Sequence, residues 1–175
     1  MATALSILLA GALTLSAAPY RAADDAWSAD APAGWEAVAA DAPERSTTFV
    51  GPAEPGQNRK SAIICAFYPK THPETPTPER FRKAMTTTAA LFELRSKSAK
   101  KTRVAGRPAT RFSTSRLVNV PDARVISRDV RSVDDFVLVP VDGGFYALQL
   151  SASEAHYPKV KPLFERFLKS FTLGR

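Results

Sequence analysis

The chain has one cysteine and two histidines in 175 residues, and each scarcity removes a class of chemistry. A lone thiol cannot close an intramolecular disulfide or build a multi-cysteine zinc site. Cys65 lies inside "SAIICAFY", an apolar strand-like run, where a thiol behaves as a small hydrophobe. His72 and His156 are far apart in sequence, and no pair at metal-ligand spacing accompanies either. The nucleophile elbow Gly-x-Ser-x-Gly is absent, and "GRPATRF" lacks the Gly-Lys-Ser/Thr ending of a phosphate loop. The adjacent acids Asp24-Asp25 and Asp134-Asp135 make poor acid–base pairs, because neighbours on a strand diverge; Asp134-Asp135 reads as a turn before "FVLV". No catalytic, metal or cofactor residue is therefore assigned, and the expectation is a protein that is not an enzyme.

Basic residues are missing from the start of the chain, ahead of the apolar run 4–18, "ALSILLAGALTLSAA". The run has signal-peptide length, is short for a bilayer span and shows no polar face. Residues 1–23 read as a signal peptide, with an uncleaved N-terminal anchor as the alternative. No cysteine follows to carry a lipid. The expectation is a periplasmic or secreted protein whose mature form has no integral membrane span. Residues 24–175 then make one domain, large enough for a proper core.

"GWEAVAA", "STTFVG" and "SAIICAFYP" read as strands, the last a central one because it is almost continuously apolar. After the Pro-rich "KTHPETPTPE", Thr77 can cap a helix with Pro78 at its first position and Glu79 in its first turn. Phe81, Met85, Thr88 and Phe92 share one face, so the helix is expected over 78–94. Candidate strands follow at 103–104, 109–118, 124–133, 135–141 and 144–151. "VLVPVDGGFYALQL" is the clearest hairpin. Val160, Leu163, Phe164, Phe167, Leu168 and Phe171 form a helical stripe. Pro162 predicts a helix that starts only at Lys161 and runs to Phe171, with His156 left in the preceding turn. Hairpin-linked strands with helices set apart in order indicate α+β, with an antiparallel sheet flanked by helices.

Charge is the informative anomaly. The net charge is +7, yet residues 24–58 carry −6, residues 59–131 carry +12, and residues 132–175 are balanced. "RSKSAKKTR" (95–103) concentrates Arg95, Lys97, Lys100, Lys101 and Arg103 with no acid, in what reads as a loop after the long helix. Such a cluster is a candidate surface for anionic lipid, a polyanion or an acidic protein partner, against the plainer reading of a solvated face. Nucleic acid is not an expected partner, because export separates the two and no aromatic-interleaved basic motif occurs.

"APAGWEAV", the strand end "FYP" before a Pro-rich helix start, "GRPATRF", "GGFYALQLSAS" and the closing "FLKSFTL" occur in this order. Together they resemble the superfamily of the photosystem II extrinsic subunit PsbP and the bacterial lipoprotein DcrB, over roughly residues 25–173. The resemblance implies a PsbP-like sandwich of antiparallel sheet and helices, in a family of mostly non-enzymatic proteins that support assemblies or membranes. It transfers no metal or cofactor residue. The functional expectation is an exported accessory or interaction protein of the bacterial envelope. The alternatives are an anion binder acting through 95–103 and an enzyme with an unrecognised site.

Overall fold

The computed structural model describes residues 18–40, 45–55, 59–87, 95–120 and 128–174. Its elements are β1 (Ala18–Arg21), β2 (Trp27–Ala31), β3 (Glu36–Ala40), β4 (Arg45–Ala53), β5 (Lys60–Pro69), α1 (Pro78–Thr87) and β6 (Arg95–Val104). Then come β7 (Arg107–Val120), β8 (Arg128–Val141), β9 (Gly144–Ser153), α2 (Tyr157–Ser170) and β10 (Thr172–Leu173). Seven strands form one sheet in the order β3-β4-β5-β9-β8-β7-β6, and every pairing is antiparallel. Strands β1, β2 and β10 form a separate three-stranded sheet.

Strand alternation divides the core in two. Val137, Val139, Leu148 and Leu150 face α2 and the small sheet, meeting Phe164, Phe167, Phe171 and Trp27. Phe136, Leu138, Phe145 and Ala147 face the other way, onto Phe81 of α1. The α+β antiparallel architecture is as expected, but one face is covered by a helix together with a second sheet. That sheet escapes a sequence reading because its strands are two to five residues long and come from opposite ends of the chain.

Expectations and structure part company at identifiable places. The folded body includes residues ahead of Asp24: β1 pairs with β2, and Tyr20 packs on Trp27 and Phe49 at ring-centroid distances of 5.3 and 5.0 Å. The segments expected as separate strands at 124–133 and 135–141 are one strand, β8, within the described residues. Asp134 and Asp135 therefore lie mid-strand and not in a turn, since both have partners on β7 and β9. Helix α2 starts at Tyr157, not Lys161. The amides of Lys159 and Val160 donate to the His156 carbonyl, and Pro162 sits inside the helix on its exposed side. There it removes one backbone bond, and the freed carbonyl of Pro158 lies on an exposed residue. The expected cap of α1 is present, with the Arg80 amide donating to Thr77 Oγ1 at 3.3 Å, while residues 88–94 lie outside the described residues.

The β8–β9 hairpin turns on Asp142-Gly143, with Val141 paired to Gly144. The positive φ belongs to Gly144, at 153°, and a Cβ there would stand 2.0 Å from the Tyr68 carbonyl oxygen. This glycine lets β5 and β9 close against each other at the chain reversal.

Candidate functional site

The five bases of 95–103 are on a strand, not a loop. β6 is an edge of the large sheet, and all five side chains are exposed. Sequence periodicity could not show this, because an edge strand with charged side chains has no apolar alternation to betray it. The register shifts between Lys97, opposite Ser113, and Lys100, opposite Arg111. This bulge keeps Arg95, Lys97 and Lys100 on the α2 face, while Lys101 and Arg103 lie on the α1 face. The cluster is thus one edge with two unequal sides.

Two buried acids, Asp134 and Asp135, are bound to partly exposed bases. Arg111 on β7 donates Nε to Asp135 Oδ1 at 3.0 Å and Nη2 to Asp135 Oδ2 at 2.6 Å. The same guanidinium donates to both Glu165 oxygens on α2, at 3.1 and 2.6 Å, and stands 5.9 Å from the Phe164 ring centroid. The Tyr157 hydroxyl donates to Asp135 Oδ2 at 2.8 Å. The hydrogen bonds of Asp135, and then those of Glu165, outweigh desolvation and push the Arg111 guanidinium pKa up. Tyr157 is also pushed up, first by burial and then by the Asp135 charge and hydrogen bond. This arrangement clamps α2 onto the sheet. On the opposite face, Asp134 accepts from Gln149 Nε2 at 3.0 Å and lies 3.6 Å from Arg116 Nε.

A third buried acid, Glu54, accepts at Oε1 from Ser61 Oγ at 2.8 Å and from the Ser153 amide at 3.1 Å. Burial raises its pKa, but the Ser153 and Ser61 hydrogen bonds and the Arg59 charge together bring it below the ordinary glutamate range. Arg59 in turn donates to Ser132 and Ser151, at 2.6 and 3.2 Å. Sequence reading missed both groups, because their members are separated by up to 99 positions and carry no motif.

The other singled-out residues are not assembled into a site. His72 accepts a 3.4 Å contact from the Glu74 amide in an exposed turn. His156 is the N-cap residue of α2, with its amide bonded to Ser153. Cys65 is 1% exposed on β5, and burial pushes its thiol well up. No group of three or more His, Cys, Asp and Glu suited to a metal occurs among the described residues.

Residues 16–173 match the PsbP family. The chain belongs to the PsbP family. Among solved structures, the solution structure of cyanobacterial PsbP (CyanoP) from Synechocystis sp. PCC 6803 is 18% identical. That match covers 93% of this chain and 95% of the other, with a TM-score of 0.55. The Ran-binding protein Mog1p of Saccharomyces cerevisiae is 12% identical over 91% of this chain and 96% of the other, with a TM-score of 0.56. At such identities the likeness to CyanoP and Mog1p shows a shared fold alone. No curated protein matches the sequence. For this PsbP-family chain, the expected superfamily assignment holds.

Proposed function

We propose that this chain is an exported, non-catalytic accessory protein of the bacterial cell envelope, acting through its surface. The observation that carries the reading is the disposition of its ionisable groups. Arg111, Asp135, Glu165 and Tyr157 fasten one helix to the sheet, whereas the bases of β6 are exposed along an edge, where Arg103 donates to the Gly106 carbonyl at 3.4 Å. Membership in the PsbP family agrees with a binding role and names no partner. Cell fractionation followed by in-cell crosslinking tests the proposal. Recovery in the periplasmic fraction, with a reproducible crosslinked envelope protein, is expected. A cytoplasmic location, or repeated crosslinking that captures no partner, overturns it.

A second reading, attraction to an anionic surface, is favoured by the bulge that gathers Arg95, Lys97 and Lys100 on one side of β6. Each exposed base near an anionic membrane contributes about 1 kcal/mol. Replacing those three with Gln should weaken flotation with anionic vesicles roughly a hundredfold, and replacing Lys101 and Arg103 roughly thirtyfold. Binding should also fall steeply with salt. If the protein ignores anionic vesicles at low salt, β6 is not a membrane-binding surface, and its charges guard against edge-to-edge pairing or meet a protein partner.

A further inference from the structure

A cavity of about 480 Å³ opens between one end of the small sheet and the β3–β4–β5 side of the large one. Its walls are aromatic. Tyr20 and Trp27, with centroids 5.3 Å apart, come from the small sheet, and Phe67 and Tyr146, 5.0 Å apart, come from the large one. Four hydroxyl-bearing residues are in its lining, Tyr20, Ser46, Thr47 and Tyr146, and the hydroxyls of interest are those of Thr47 and Tyr146, each 6% exposed. Neither makes a hydrogen bond to another group among the described residues. Hydroxyls on residues this buried ordinarily have a partner.

The rim carries a mixed charge. Arg45 Nη1 donates to Asp24 Oδ2 at 2.8 Å, and both side chains are substantially exposed, at 72% and 45%. Asp24 Oδ1 also accepts from the Ala26 amide at 3.1 Å, which fixes the carboxylate at the rim, while the exposed pair with Arg45 is weak enough to exchange for a ligand. A simple anion entering here would be repelled by Asp24, and a simple cation by Arg45. A molecule carrying both charges meets one opposite charge for each of its own.

We propose that this cavity binds a small zwitterion with a flat apolar body, of the class of aromatic α-amino acids. The body lies between the two aromatic walls, the carboxylate on Arg45 and the ammonium on Asp24, with Thr47 and Tyr146 bonding the polar head. The volume lies within the roughly 300–1,000 Å³ usual for small-molecule sites. Burial first, and then the neighbouring Cys65 and Asp24 against the opposing Arg45, push Tyr146 up to about 12. Its hydroxyl is thus a donor throughout the physiological range.

The test is titration of the full chain with L-phenylalanine, phenylacetate and phenethylamine, followed by calorimetry and by the NMR shift of the Trp27 indole N–H. L-phenylalanine should bind and move the Trp27 signal, with each singly charged analogue weaker by roughly two- to fivefold, the usual worth of an exposed ion pair. Arg45→Gln and Asp24→Asn, both at exposed positions that leave the core intact, should each weaken L-phenylalanine by a similar factor. Tyr146→Phe, which keeps the ring, should weaken it several-fold. The proposal is overturned if millimolar L-phenylalanine leaves the Trp27 signal unmoved. It is equally overturned if one singly charged analogue binds as tightly, or if the Arg45 and Asp24 variants bind like the parent.

Discussion

Glu54 is 2% exposed and ionised, an expensive state that its surroundings make tolerable. Ser61, the Ser153 amide and Arg59 favour the carboxylate more strongly than burial opposes it, so the folded-state pKa lies below the usual value. The sign of the pH dependence follows. The unfolded chain binds the proton more readily, so the contribution is complete above the unfolded pKa and is lost as pH falls through the folded one. Urea unfolding from neutral pH down through the carboxylate range should show this loss. Glu54→Gln, which does not titrate, should flatten that part of the profile. Glu54→Ala should cost about 2–3 kcal/mol at neutral pH, because two serine donors lose a charged acceptor. None of this was legible in the sequence. "GPAEPGQNRK" reads as a loop by composition, and nothing in it says that its Glu54 is folded inward onto Ser61 and Ser153.

At the scale of elements, α2 shows which signals survive in a sequence. Its stripe was legible, and Val160, Phe164, Phe167 and Leu168 are buried as the spacing requires, with Phe171 at the C-cap. Its start was misread because Pro162 is a strong local breaker, yet packing of this face and the bonds to the His156 carbonyl outweigh one lost backbone bond. Arg111 holds the same helix by its other side. Arg111→Ala should destabilise the protein by about 3–5 kcal/mol in urea unfolding, since it leaves the buried Asp135 with the Tyr157 hydrogen bond but no counter-charge. The double variant Arg111→Ala with Asp135→Ala should cost clearly less than the sum of the singles, and strict additivity would show that the two do not act as a unit. β6 is the converse case. Its charges were found from composition, but its strand state was not, because an exposed basic edge and a basic loop have the same pattern.

At the scale of the molecule, the two sheets depend on both ends of the described chain. β2 lies between β1 and β10, and the aromatic rings of Tyr20, Trp27, Phe167 and Phe171 fill the space beneath. A chain that begins at Asp24 lacks β1 and Tyr20, whereas one that begins at Ala18 keeps both. The shorter chain should unfold at lower urea, with a loss of about 3 kcal/mol, the usual worth of a large aromatic in a core. Equal midpoints would mean that β1 is not part of the cooperative unit.

The sequence by itself determined the α+β class, the central hairpin, the capped start of α1 and the apolar stripe of α2. Each is written in periodicities and turn residues that act over a few positions. Only the tertiary structure decided that a second sheet joins residues 18–31 to residues 172–173, that β6 is an edge with two unequal sides, and that Asp134 and Asp135 serve opposite faces. It alone also made the cavity between the sheets. These features arise where segments distant in the chain meet, and burial and charge pairing there depend on neighbours that no local pattern encodes.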